Sequence, residues 1–158
     1  MSQLFVYAET AFHHEGDEGY LNALVDAAAS AGADGVKFQV LVEADALLAR
    51  SHPAFERLAP CVLSPAAWLR VLQRVADRGM RNVVLPLDAG AMRVVDEARA
   101  TIAYLDIHSV LFYDDALMAS LAAARLPIIL GTGGRTLDEV KAKQAFFGEL
   151  LQVLMLGF

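Results

Sequence analysis

The chain contains very little cysteine: Cys61 is the only one among its 158 residues. A single cysteine excludes an intrachain disulfide and a zinc site built from several thiolates, and it fits a reducing compartment. Basic residues are also sparse, with 13 lysines and arginines against 19 acidic residues. We therefore expect no nucleic-acid binding, because a nucleic-acid surface needs clustered cations to neutralise phosphates.

Long apolar runs are missing as well. No stretch reaches the roughly 18 residues of a membrane-spanning helix, and the N-terminal MSQLFVYAE lacks the basic flank and apolar segment of a signal peptide. The chain has no linker rich in proline, glycine or serine. The sequence thus predicts one domain over residues 1–158, located in the cytoplasm and without membrane contact.

What the chain does have is a regular alternation of short apolar segments with helical patterns, which is typical of successive βα units. The segments predicted as strands are 4–9, 35–40, 82–87, 103–107, 126–134 and 151–158. Residues 41–63 are predicted as a long connection. Helix starts are marked by Asp17 and Ser64 as N-caps, and by a capping box from Thr136 to Glu139.

Six parallel strands with alternating helices indicate an α/β fold, either a doubly wound sheet or part of a (β/α) barrel. A complete eight-stranded barrel usually needs about 200 residues or more, so this chain is short for one. Both architectures place ligands at the carboxyl ends of the strands. The residues of interest are therefore those that end the predicted strands.

Glu9 and Lys37 lie on strands that are predicted to be neighbours. A buried charge is costly unless it is paired, so these two side chains are expected to interact. Three interpretations stay open on the residues alone: a structural ion pair, a functional pair, and a Lys37 that acts as a Schiff-base nucleophile.

Histidines and a glycine turn supply the other candidates. His13 and His14 are adjacent and point to opposite sides of an extended segment, so at most one faces a site. His108 ends the fourth predicted strand. The turn at 131–136, GTGGRT, offers backbone N–H groups and a helix N-terminus to an anion, although glycine turns of this kind also arise for steric reasons alone.

Three segments carry a family pattern: AETAFHHEG at 8–16, AGADGVKFQ at 31–39 and LPIILGTGGRTLDEV at 126–140. Together they resemble the sialic acid (N-acetylneuraminate) synthase family, which includes legionaminic and pseudaminic acid synthases. The family's patterns are A-E-I-G-x-N-H-x-G, A-G-A-D-x-V-K-F-Q, and K-P-[IV]-I-L-S-T-G-M followed by [AT]-[ST]-L-x-E-[IV]. The resemblance implies a partial TIM-type (β/α) barrel of about six parallel strands with alternating helices.

The resemblance also implies an activity: condensation of phosphoenolpyruvate with an N-acyl aminosugar to a 2-keto sugar acid. A divalent metal, manganese or magnesium, acts as the family's Lewis acid. Glu9 stands at the family's catalytic glutamate, and Lys37 at a position that contacts phosphoenolpyruvate or supports its site, so we predict both as catalytic. The predicted substrate-binding residues are Gln39, His14, His108, Thr132 and Gly133.

The chain departs from the family at several strand ends. Residues 84–87 read Val-Leu-Pro-Leu where the family has S-T-P-F, and residues 104–110 lose a lysine, a serine and a glutamate that hold phosphate and orient substrate. Leu156 replaces a metal-binding histidine, and leucine cannot ligate manganese, so no metal ligand is predicted on this chain. The family's last two strands and its C-terminal antifreeze-like domain are not expected here.

These departures leave an alternative function open: a catalytically inactive barrel that acts as a binding or assembly module. An open sheet of six strands also exposes unpaired backbone groups on its first and last strands, which partner chains often cover. We therefore expect a homo-oligomer that covers these edges.

Overall fold

Six of the apolar segments form strands of one parallel sheet, in a computed structural model that describes residues 4–156. The strands are β1 (Tyr7–Glu9), β2 (Gly35–Val40), β3 (Arg81–Pro86), β4 (Ile102–Ile107), β5 (Ile128–Gly131) and β6 (Leu151–Met155). Their spatial order equals their chain order. This order is that of a (β/α) barrel, since a doubly wound sheet reverses direction at a switch point.

The sheet is curled into a half barrel. The rings of Phe5, just before β1, and Tyr104 on β4 have centroids 5.9 Å apart although two strands separate them. The prediction of a partial TIM-type barrel is therefore confirmed.

Helices connect the strands. They are α1 (Glu18–Ser30), α2 (Ala44–Leu47), α3 (Phe55–Leu58), α4 (Pro65–Asp77), α5 (Ala89–Ala98), α6 (Asp115–Ala124) and α7 (Leu137–Phe147). The predicted caps are confirmed: the carboxylate of Asp17 accepts from the Tyr20 N–H, and the hydroxyl of Ser64 from the Ala67 N–H. Thr136 and Glu139 form the reciprocal capping box that opens α7.

The core lies between the outer face of the sheet and the helices. Trp68 on α4 is fully buried there, and its indole N–H donates to the carbonyl of Leu41 at 3.1 Å. Leu21 and Val25 on α1 and Val71 and Leu72 on α4 are likewise inaccessible to solvent. Burial of these side chains fixes α1 and α4 against β2 and β3 and thereby sets the loops at the strand ends.

Some predicted boundaries differ from the observed ones. The first strand begins at Tyr7 rather than at residue 4, because Asp34 captures the Val6 backbone: its carboxylate accepts from the Val6 N–H at 2.8 Å. The fifth strand ends at Gly131, before the turn that contains Gly134 at φ +70°. The sixth strand ends at Met155, and residues 157–158 of the prediction lie outside the described residues.

The predicted connection at 41–63 contains two helices, α2 and α3, of four residues each. A helix of one turn is too short to produce hydrophobic periodicity, so the sequence pattern does not reveal it.

Exposed apolar side chains lie at both edges of the sheet. Val6, beside β1, is 50% exposed, while Val153 and Leu154 on β6 are 41% and 43% exposed. Within residues 4–156, no helix has both the length and the apolar composition needed to cross a membrane.

Candidate functional site

The carboxyl half of the sheet's inner face holds a cluster of three charged side chains. The ammonium nitrogen of Lys37 lies 2.6 Å from Oδ2 of Asp106 and 3.3 Å from Oε2 of Glu9. Lys37 and Asp106 are buried, with side chains 1% and 0% exposed, whereas the Glu9 side chain is 40% exposed. We call Glu9, Lys37 and Asp106 the ionic triad.

Parallel pairing explains why the first two members meet. β1 and β2 pair with Glu9 directly opposite Lys37, so the two side chains leave the sheet on the same face. Asp106 is two strands away from Lys37, on β4. Adjacent strands are about 4.8 Å apart, so a long lysine side chain is needed to cross β3 and reach the carboxylate.

The triad holds Lys37 as a cation. Burial alone lowers the pKa of Lys37, but hydrogen bonding to Asp106 and the charges of Asp106 and Glu9 outweigh it, so the pKa is raised above its ordinary value. A Schiff-base nucleophile needs the free amine, so these contacts favour the ion-pair interpretations of Lys37 over the nucleophilic one.

Gln39 joins the triad from β2. Its amide Nε2 donates to Oε1 of Glu9 at 3.3 Å, so one oxygen of Glu9 faces Gln39 and the other faces Lys37. The structure thus brings together three of the predicted site residues, Glu9, Lys37 and Gln39. They lie at the carboxyl ends of β1 and β2, and we call the end of the half barrel at which the strands finish its mouth. Glu9 is the member that reaches solvent.

Two open cavities, of about 650 Å³ and 670 Å³, lie above the carboxyl ends of β1 to β4. The smaller one is largely apolar, with Leu47, Leu87 and Leu111 among its walls. The larger one is lined by Gln39, Glu15 and His13. Their position above the strand ends is where barrels of this type bind ligands.

Arg57 on α3 is a site residue that the sequence prediction missed. Arg57 is among the residues that line both cavities, and no carboxylate of residues 4–156 lies within ion-pair distance of it. Asp106 was also missed. A carboxylate inside the apolar segment AYLDI was the available signal, since a buried charge on a strand requires a partner.

His14 lies away from the mouth. It is 1% exposed, its Nδ1 accepts the Gly16 N–H at 3.1 Å, and its ring packs edge-on to Trp68 with centroids 5.5 Å apart. Burial lowers its pKa, so His14 is a neutral imidazole that supports the loop after β1. His13 is exposed and lines the larger cavity. The two histidines do differ in exposure, but residues 11–16 form a turn and not the extended segment from which opposite directions were predicted.

The remaining predicted residues lie at the ends of β4 and β5. His108 follows β4 and is half-buried. Thr132 donates its hydroxyl to the Met155 carbonyl at 3.1 Å, which ties the end of β5 to β6, and Gly133 follows in the turn. Within residues 4–156, no hydrogen bond or ion pair joins these three to the ionic triad, and their substrate-binding role stays a prediction.

Asp88 organises the loops around the mouth. Its Oδ1 accepts the Ala91 N–H at 2.7 Å and caps α5, while its Oδ2 accepts the N–H groups of Val42 and Glu43 at 2.7 and 3.0 Å. One buried carboxylate therefore fixes the loop after β2 to the start of α5.

The side chains in the described part of the chain do not fit a resident metal ion. Among residues 4–156, no three histidine, cysteine, aspartate or glutamate side chains are grouped closely enough to hold one. Leu156, which stands at the position of a metal-binding histidine in the resemblance, is 77% exposed and has no donor atom.

Comparison with known proteins decides the family. The model of the NeuB family matches residues 24–156, which is most of the chain. The chain belongs to the NeuB family. The matched segment includes Lys37, Gln39 and Asp106, and begins after Glu9.

Solved structures give the same fold. An N-acetylneuraminic acid synthetase from Leptospira borgpetersenii superposes with a TM-score of 0.86 at 21% identity, covering 98% of this chain and 53% of that one. A putative spore coat polysaccharide biosynthesis protein E from Chromobacterium violaceum gives 0.81 at 18% identity, covering 98% and 48%. The spore coat polysaccharide biosynthesis protein of Bacillus subtilis gives 0.73 at 24%, covering 98% and 43%.

The NeuB-family chain thus spans about half the length of these solved structures. Comparison with curated proteins gives no match. At these identities the superpositions establish the half-barrel fold, and the residues of the mouth have to carry any argument about chemistry.

Proposed function

We propose that this chain carries the synthase chemistry suggested by its family: condensation of phosphoenolpyruvate with an N-acyl aminosugar to a 2-keto sugar acid, in carbohydrate biosynthesis. The observation that carries the proposal is the joining of Glu9, Lys37 and Gln39 at the carboxyl ends of β1 and β2. Barrels of this type place their active sites at these strand ends.

Glu9 is proposed as the acid or base. Its side chain is 40% exposed and so can exchange protons with a ligand or with water in the mouth. In the reaction, C3 of the enol attacks the sugar aldehyde, water adds at C2 and phosphate leaves. Glu9 would hold or deliver a proton during these steps, and its Oε2 lies 3.3 Å from the buried ammonium group of Lys37 in the resting protein.

Arg57 is proposed to hold the anionic end of the substrate. It lines both cavities, and its guanidinium forms no ion pair within the part of the chain that the structure describes. Guanidinium groups bind carboxylate and phosphate through paired hydrogen bonds. This assignment gives the mouth a cation that Lys37, neutralised by two carboxylates, does not supply.

The test is release of phosphate and formation of a 2-keto acid from phosphoenolpyruvate and N-acetylmannosamine or related aminosugars, with manganese or magnesium added. We expect Glu9→Gln to lower turnover at least about 100-fold, the usual size of a general acid–base contribution. Glu56→Gln is the matched control, because Glu56 is an exposed glutamate on α3 that, within the described residues, forms no ion pair with Lys37 and no hydrogen bond with Gln39. Equal turnover in the two variants would remove Glu9 from the mechanism.

A second candidate function, an inactive binding or assembly module, is favoured by one observation. Lys37 is 1% exposed and contacts two carboxylates, so an incoming phosphate does not meet a free ammonium group there. This candidate predicts that the folded protein binds an aminosugar or phosphoenolpyruvate without turnover, with or without metal.

We further propose that the protein works in the cytoplasm as a homo-oligomer in which the edges at β1 and β6 are covered. Exposed Val6, Val153 and Leu154 support this, because apolar edge strands favour pairing with another chain. Light scattering after size exclusion should give a mass of at least twice 17.0 kDa. A monomer at micromolar concentration would contradict the oligomer.

A further inference from the structure

The two carboxylates of the ionic triad are not equivalent. Asp106 is 0% exposed and 2.6 Å from the Lys37 nitrogen, while Glu9 is 40% exposed, 3.3 Å away, and shared with the Gln39 amide. An ion pair that is short and shielded from water is stronger and less exchangeable than a longer one at the solvent boundary. A ligand that enters the mouth therefore meets Glu9 before it meets Asp106.

We propose that Asp106 is a positioning residue, the permanent counter-ion that fixes the Lys37 ammonium group across the inner face of the sheet. Glu9 is then the carboxylate of the site that can exchange its partner. Glu9 can leave Lys37 to take up a proton or contact a ligand, because Asp106 still compensates the buried charge. A role for Glu9 in catalysis rests on the proposed function, whereas the pairing of Asp106 with Lys37 does not.

The surroundings of Lys37 support this division. The titratable groups that face it are Glu9, Asp106 and Tyr7. Burial raises the pKa of Tyr7 and, together with the charges of Asp106 and Glu9, outweighs the lowering by the Lys37 charge, so Tyr7 is a neutral phenol at neutral pH. Both oxygens of Asp106 are buried and have no partner of hydrogen-bond geometry among the described residues, and Oδ2 makes the 2.6 Å ion pair with Lys37.

The test measures the pKa of the Lys37 amine by nuclear magnetic resonance of the unliganded protein with isotope-labelled lysine. The chain has three lysines, and exposed Lys141 serves as the internal reference. In Asp106→Asn we expect the pKa of Lys37 to fall by at least about one unit, the usual effect of losing a close opposite charge in a buried place. In Glu9→Gln we expect a fall of less than about half a unit, since an exposed partner is screened.

A larger fall in Glu9→Gln than in Asp106→Asn would overturn the proposal. If Asp106→Asn does not fold, Glu9→Gln still decides: a pKa of Lys37 that drops by about one unit or more would show that Glu9 is the dominant partner. These measurements involve no substrate, so they can succeed when the synthase proposal fails. If synthase activity is present, Asp106→Asn should lower kcat while changing KM less than twofold. It should also shift the alkaline limb of the pH–rate profile to lower pH. The control Glu56→Gln should show neither the loss of kcat nor the shift.

Discussion

Replacing Lys37 with methionine leaves the carboxylates of Glu9 and Asp106 facing each other without a counter-ion. At an effective dielectric constant of about 20, charges 2.6 Å apart, as in Lys37 and Asp106, attract by about 6 kcal/mol, whereas the 3.3 Å pair with the 40% exposed Glu9 is weakened by solvent screening. Much of this attraction is offset by the cost of removing the charges from water. Breaking a buried pair from one side typically costs about 3–5 kcal/mol, and we expect Lys37→Met to destabilise the fold by that amount at pH 7.

The assay is urea unfolding followed by circular dichroism, for Lys37→Met and for the double variant Lys37→Met/Asp106→Leu. The double variant removes the buried charge together with its partner, and such apolar replacements are often close to neutral. We therefore expect it to recover most of the lost stability. A loss below about 1 kcal/mol in Lys37→Met, the size expected of an exposed ion pair, would refute the account of the triad as a buried network.

Three further predictions concern the loops that frame the mouth. Gly16→Ala should destabilise the fold by about 2–3 kcal/mol in thermal unfolding, because Gly16 has φ +82° and an added Cβ would lie 2.1 Å from the Pro60 carbonyl oxygen. The control Gly79→Ala should cost only about 1 kcal/mol, because Gly79 has a similar φ of +75° but an added Cβ would meet nothing within 4 Å. Asp88→Ala should lower the free energy of unfolding in urea by about 2–4 kcal/mol, because three backbone N–H groups lose their acceptor. Equal stability of Asp88→Ala and wild type would contradict the role of Asp88 in joining the loop after β2 to α5. Burial lowers the pKa of His14 in the folded protein. Below the ordinary histidine pKa of about 6.5, the unfolded chain therefore binds more protons at this residue than the folded protein does. Stability should then fall as pH drops below that value, by at most about 1.4 kcal/mol per unit, and this slope should be reduced in His14→Gln but not in His13→Gln.

Local chemistry in the sequence was sufficient for most of the fold. The caps at Asp17, Ser64 and Thr136 depend on residues three positions away, so they are visible in a single stretch of chain. The pairing of Glu9 with Lys37 also followed from the sequence, because neighbouring parallel strands bring equivalent positions together.

The missed features depend on distant contacts. Asp106 joins the site only because the sheet curls and the Lys37 side chain crosses β3, and no spacing rule links the two residues. Arg57 lines the two cavities from α3, and a one-turn helix leaves no periodic signal in the sequence. The start of β1 was misplaced since Asp34, a loop residue, binds the Val6 backbone.

The central claim is that the mouth above β1 and β2 binds an anionic enol substrate, and calorimetric titration of phosphoenolpyruvate into the folded protein tests it most directly. We expect saturable binding of phosphoenolpyruvate. Its affinity should weaken at least about tenfold in Arg57→Ala, because a charged hydrogen-bonded contact contributes about 1.5–3 kcal/mol. The affinity should be unchanged in Glu56→Gln. Absence of binding by a chain that circular dichroism shows to be folded, with and without manganese, would contradict the central claim.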